Sequence, residues 1–138
     1  MTQVEFPSLR DLLLGRWSEF AADVEQLVGR SSVPLGQAKP PNCAGVYLLR
    51  DDQNAIAYVG KAVGKEGLRD RFPRKHISGD DSHAIQRAYL RTIAERNERR
   101  LFIKKYVSTS WLEVSDHRRA ADLERLMIWL LQPPWNRQ

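Results

Sequence analysis

The chain has 138 residues, 42% of them hydrophobic, and a formal net charge of +5. That is enough apolar material for one compact domain plus an appendage, and the basic balance favours polyanionic partners, because Lys and Arg displace counterions from phosphates. The one cysteine, Cys43, excludes an internal disulfide and a Cys-rich zinc site and suits a reducing compartment.

Residues 1–5 place no basic flank before an apolar run, so they do not read as a signal peptide. The spacing of Leu9, Leu12, Leu13, Trp17, Phe20, Val24, Leu27 and Val28 predicts an amphipathic helix over 8–28. Ser8 can cap it, Asp11 suits its first turn, and Gly29 ends it. Its apolar stripe is expected to pack on the domain, pair two copies or meet a protein partner. Residues 29–43, with Gly29, Pro34, Gly36, Pro40 and Pro41, form a linker or an extended wrapping segment. The composition changes at Ala44, which divides the chain into 1–43 and a domain over 44–138.

Residues 44–60 read as a β-hairpin with its turn at Asp51-Asp52-Gln53-Asn54. Centring the turn on Asp52-Gln53 sets Tyr47 opposite Tyr58, with both phenols on one side of the sheet. A loop runs from Gly60 to Gly67. A short helix interrupted at Pro73 is expected over 68–77. A second starts at Ser82, with Ala84, Ile85, Ala88, Tyr89 and Ile93 on one side. Leu101 to Val107 is β-rich and is expected to be a third strand. Ser115 or Asp116 caps a last helix that Pro133-Pro134 stops after Leu131. The longest uninterrupted apolar run, Leu126 to Leu131, is far too short to cross a bilayer. The expectation is a cytoplasmic protein with no membrane partner.

Three features stand together: Gly45-Val46-Tyr47; Tyr58-Val59-Gly60-Lys61, with Tyr58 eleven residues after Tyr47; and Leu68-Arg69-Asp70-Arg71-Phe72. Glu124 follows in the last helix, and Pro133-Pro134-Trp135-Asn136 comes after it. In this order the residues resemble the GIY-YIG nuclease superfamily, over about 44–137. The elements and the resemblance together give an α+β fold, a small three-stranded antiparallel sheet flanked by helices, with an extra N-terminal helix.

The resemblance implies a metal-dependent endonuclease that hydrolyses phosphodiesters of nucleic acid, with DNA the expected substrate, by in-line attack of water with one Mg2+ or Mn2+. Tyr47 or Tyr58 would activate the water, with Tyr47 favoured, and the other would hold water or phosphate by its hydroxyl. Arg71 fits the Leu-x-x-Arg-apolar spacing and would fork onto two phosphate oxygens. Glu124 would be the metal ligand, and Asn136 would hold the site together or touch phosphate. His76 would assist proton transfer or contact phosphate.

The chemistry is consistent with these residue types. A phenol, with a reference pKa of about 10, is a base only where its anion is stabilised, and Lys61 is one candidate cation. Mg2+ takes few protein carboxylates and keeps several waters, so one glutamate suffices. Lys61, Arg69, Arg74, Lys75, His83 and Arg87 are candidates to hold the nucleic-acid backbone, which positions a substrate without reading its sequence. Arg87, Arg91, Arg96, Arg99, Arg100, Lys104 and Lys105 make a second basic stretch that is either a contact surface or a solvated face.

Each of these has a plainer alternative. The tyrosines can be a cross-strand packing pair, Glu124 a structural ion pair, and Asn136 a turn residue beside proline. As a whole, the chain can instead be a catalytically weak or inactive nucleic-acid-binding module of the same fold acting in a larger assembly. It can also be an unrelated RNA-binding domain whose aromatics stack on bases.

Overall fold

The computed structural model describes residues 8–64, 67–69, 75–78 and 84–136, with the side chains of Lys75 and Ser78 left aside. It is an α+β fold built on a four-stranded antiparallel sheet. The strands are β1 (Val33–Pro34), β2 (Gly45–Arg50), β3 (Ile56–Ala62) and β4 (Ser108–Glu113), in the order β1-β4-β2-β3. The helices are α1 (Leu9–Gly29), α2 (Gly67–Arg69), α3 (Lys75–Ser78), α4 (Ala84–Leu90), α5 (Arg96–Tyr106) and α6 (His117–Leu131). No helix among the described residues is long and apolar enough to cross a membrane.

The two long outer helices form as their sequences dictate. The Ser8 hydroxyl accepts from the Asp11 N–H at the start of α1. The Asp116 carboxylate accepts from the N–H groups of Arg118 and Arg119 at the start of α6. Gln132 adopts the left-handed conformation that closes α6 just before Pro133.

Both helices pack on one face of the sheet. There Val46, Leu48, Val59 and Leu112 meet Leu27 of α1 and Ala120, Leu123 and Met127 of α6. Arg119 anchors the two helices to each other through Asp23, at 2.7 Å. The first turns of α1 stand away from the sheet, so Leu9, Leu12, Leu13 and Leu14 are exposed. Trp17 meets Trp129 edge-on, with centroids 6.3 Å apart. Of the two readings of residues 29–43, the structure has the wrapping one. Val33 and Pro34 pair with β4, and Leu35 is fully buried on the opposite face.

That opposite face carries α3, α4 and α5. Its core joins Tyr47, Leu49 and Ala62 of the sheet to Leu68, Ile85, Tyr89 and Ile103.

Three expectations need correction. Residues 101–106 belong to α5, not to a strand. Glu95 caps this helix by accepting from the Glu98 N–H, Phe102, Ile103 and Tyr106 recur at helical spacing, and Lys104 and Lys105 favour its C-terminal end. The sheet consequently has four strands rather than three, the added ones being β1 and β4. The helix expected from Ser82, a residue outside those described, stops at Leu90, and Gln86 rather than Ala88 is on its buried side.

The hairpin register also differs. Tyr47 pairs with Gly60 and Leu49 with Tyr58. The turn occupies 51–55, closed by an Asp51 N–H to Ala55 carbonyl bond, with Asn54 at φ 65°, and a bulge follows Leu49. The displacement is two positions. Because side chains alternate with a period of two, both tyrosines stay on one face.

Candidate active site

Tyr47 and Tyr58 stand diagonally across the β2–β3 pair, with ring centroids 6.1 Å apart. His76, on α3, closes the group. Its ring lies 5.6 Å from that of Tyr47 and 5.2 Å from that of Tyr58. The Tyr47 hydroxyl and His76 Nε2 share a hydrogen bond of 2.7 Å. Tyr47 is fully buried and His76 is 8% exposed, whereas Tyr58 is half-buried and reaches the surface. Of the two tyrosines, Tyr58 is therefore the one that can meet solvent directly, and Tyr47 stands behind it against the imidazole.

The backbone makes room for this packing at Gly60. A Cβ there would lie 2.5 Å from both Cζ and the hydroxyl of Tyr47. The phenol of the first motif thus rests on the glycine of the second. Nearby, Gly67 has φ +55° and sits against the Cys43 carbonyl, to which the Leu68 N–H donates at 2.8 Å. Leu68 is fully buried against Gly45. Cys43 is partly buried beside β2, and its thiol pKa is raised first by desolvation and then by Glu113.

Asn136 lies in the turn Pro134–Asn136 and pairs with the free edge of β3. Its Oδ1 accepts from the Val59 N–H at 2.8 Å, and its Nδ2 donates to the Val59 carbonyl at 2.9 Å. An amide that imitates a strand in this way fixes the residue between Tyr58 and Gly60. Trp135 beside it packs edge-on to Tyr89 at 5.6 Å. Tyr89 in turn donates to the Asp52 carboxylate at 3.0 Å and accepts from the Asp52 N–H at 3.3 Å, which ties α4 to the hairpin turn.

Glu124 is half-buried on α6, flanking the Ala120–Leu123–Met127 stripe, and so comes from the helix layer on the side of the sheet opposite the core that holds Tyr47. By strand alternation Lys61 points to that same α6 side, with Val59, and not to the tyrosine side. The expectation that Lys61 is the cation beside the tyrosine phenols is therefore corrected: next to that motif in sequence, it lies on the other side of the sheet. Among the described residues, no three His, Cys, Asp or Glu side chains gather as a metal site. One carboxylate with water ligands is a sufficient donor set for Mg2+, so Glu124 fits the role chemically.

Arg69 and Arg87 are exposed, as a backbone-contacting role requires. Arg71, Arg74 and His83 lie outside the described residues, as does the Lys75 side chain. An open cleft of about 590 Å³ lies elsewhere, between α1 and the β4–α6 junction. It is lined by Asp23, Arg30, Glu113, Asp116 and Arg119, and no site tyrosine borders it.

Two functional candidates escaped the sequence reading. Gln86 and Arg99 are 0% and 1% exposed and lie directly behind His76. Arg99 belongs neither to a contact surface nor to a solvated face: it is a core residue. Its Nε donates to Gln86 Oε1 at 2.8 Å, and its Nη1 donates to the carbonyls of Ile93 and Ala94. The two residues sit on different helices, thirteen positions apart, so no local spacing announces them. No family model matches the chain, and no curated protein matches it.

Proposed function

We propose that the chain is a metal-dependent endonuclease of the GIY-YIG type, hydrolysing phosphodiester bonds of nucleic acid, with DNA as the expected substrate. The observation that carries this reading is the 2.7 Å hydrogen bond between Tyr47 and His76, in ring contact with Tyr58. It supplies what a lone phenol lacks. Imidazole titrates near pH 6.5 and phenol near 10, so at neutral pH the imidazole is the acceptor, and the phenol can take a proton from water only as it passes its own to the imidazole.

Hydrolysis needs water to attack phosphorus in line while the ester P–O bond breaks and the water loses a proton. Tyr58, at the mouth of the group, holds the water or a phosphate oxygen by its hydroxyl. The Tyr47–His76 pair behind it receives the proton. A divalent cation held by Glu124 would supply charge neutralisation for the phosphoryl oxygens. Asn136 acts on this site through the backbone, by holding β3 at Val59. Arg71 is the proposed phosphate clamp. Arg69, Arg74, Lys75, His83 and Arg87 are the proposed contacts to the nucleic-acid backbone, and Lys61, from the edge strand, joins them.

The test is incubation with labelled single-stranded, duplex and branched DNA in Mg2+, Mn2+ or EDTA. Metal-dependent cutting by the wild-type chain, absent in both Glu124→Ala and Tyr47→Phe, is the expected result. Binding without cutting on every substrate, the same in all three proteins, would establish the inactive binding module instead.

A further inference from the structure

We infer that Gln86 and Arg99 are positioning residues that hold His76 against Tyr47. His76 is carried by α3, described over Lys75–Ser78. The carbonyls of His76 and Ile77 are bonded from outside α3, by a side chain of another helix.

That side chain is Gln86. Its Nε2 donates to the carbonyl of His76 at 3.1 Å and to that of Ile77 at 2.9 Å. Both amide protons are thereby spent on consecutive residues of α3. The orientation of the amide is set from the other side, where Oε1 accepts from Arg99 Nε at 2.8 Å. Arg99 is itself fixed by the Ile93 and Ala94 carbonyls at 3.1 Å each. A flipped amide would set its oxygen against two carbonyls and its nitrogen against a guanidinium, so only one orientation satisfies the network.

The chain of contacts runs from α5 through α4 to the backbone of α3, and from the His76 ring to the Tyr47 hydroxyl. A guanidinium and an amide this deeply buried are costly to place, and apolar residues would fill the volume more cheaply. Their hydrogen bonds end on the backbone of His76, whose ring meets Tyr47, and of the next residue, Ile77.

This inference deepens the nuclease reading, since it concerns the group that reading names as proton acceptor. Its test is therefore built on a signal that needs no substrate. The discriminating variant is Gln86→Glu. A carboxylate keeps and strengthens the link to Arg99 but faces the His76 and Ile77 carbonyls with oxygen instead of N–H. A role limited to neutralising or packing Arg99 would survive this change, whereas positioning of α3 would not.

The readout is the downfield NMR resonance of the proton shared by Tyr47 and His76, assigned by its loss in Tyr47→Phe. The expected result is loss of that resonance in Gln86→Glu while the variant remains folded by circular dichroism. A folded Gln86→Glu that retains the resonance overturns the proposal. One measurement uses the wild-type chain alone. The Gln86 side-chain amide protons should exchange with solvent far more slowly than those of an exposed glutamine, and exchange at the exposed rate also overturns it.

If the wild-type chain cuts DNA, Gln86→Glu should lower kcat by about 10²-fold with KM little changed, the penalty of a misplaced reacting group. If it cuts nothing, the nuclease reading fails, and the positioning network still stands or falls on the NMR result.

Discussion

Tyr47 and Leu48 are consecutive residues of β2, and they face layers of opposite character. The Leu48 face, under α1 and α6, is closed by aliphatic side chains from Leu27 to Met127. The Tyr47 face holds, besides its apolar residues, a phenol bonded to an imidazole, and behind them an amide and a guanidinium bonded to each other, with the amide donating to the backbone that carries the imidazole. Period-two alternation lets one strand serve both. The difference teaches that stability and chemistry are separable here by a single step along the chain. One face is held by area removed from water and the other by pairing of buried polar groups. Each polar pair adds little net stability when made and costs much when half-broken.

The sharpest test of that division sets two neighbouring substitutions against each other. Tyr47→Phe should reduce cleavage by about 10²–10⁴-fold, the range for a group in proton transfer. It should change unfolding free energy by about 1–3 kcal/mol, because it removes one partner of a buried pair. Leu48→Ala should cost about 2–5 kcal/mol in urea unfolding, because Leu48 is fully buried and leaves a cavity. The fraction of this variant that remains folded should keep the wild-type kcat. If Tyr47→Phe proves the more destabilising of the two, the two faces are not divided as described.

Gly60→Ala is expected to breach the division. The added methyl would overlap the Tyr47 ring and hydroxyl. The phenol must move, and with it the His76 hydrogen bond. A cost of about 1–3 kcal/mol, as for overpacking, should accompany a loss of activity close to that of Tyr47→Phe. Wild-type cutting by Gly60→Ala would show that the packed position of the phenol is irrelevant to catalysis.

Asn136→Ala comes next in size. It removes both bonds to Val59 and leaves that part-buried edge peptide without them, at a cost of about 1–3 kcal/mol. Asn136→Asp separates the two bonds, since a carboxylate still accepts from the Val59 N–H but cannot donate to its carbonyl. Urea midpoints in the order wild type, Asp, Ala would show that the amide acts on the strand edge.

What the sequence disclosed follows the same division. The helices of the aliphatic face are legible in the sequence almost to their caps, Ser8 and one of Ser115 and Asp116, of which the structure has Asp116, because apolar periodicity and capping are local signals. The tyrosine pair and its shared face were legible from alternation. The register was not, since the left-handed Asn54 and the bulge after Leu49 are decided by the turn's own hydrogen bonds. α5 was misread because Leu101–Val107 is rich in strand-forming residues, while its helix is fixed by Glu95 and by packing of Ile103. Gln86 and Arg99 were illegible for a deeper reason. A buried polar residue looks like a surface one until its partners, brought by other helices, are seen.

The smallest expected effect concerns the hairpin end of the polar face. Tyr89 bridges α4 to Asp52, and its pKa is raised above the ordinary value of about 10, chiefly by burial, with the neighbouring Asp52 and Asp51 charges adding to it. In the alkaline range the unfolded chain gives up this proton while the folded chain keeps it. The contribution of Tyr89 is therefore complete below about pH 10 and falls as the pH rises through its folded pKa. Tyr89→Phe should cost about 1 kcal/mol at pH 7, the worth of one hydrogen bond between partly buried groups. Urea unfolding repeated at alkaline pH should show the gap to wild type narrowing. A gap that widens would mean the folded state favours the phenolate, which beside a carboxylate on its own turn is the electrostatically wrong form. The bridge would then have to be something other than a neutral phenol donating to Asp52.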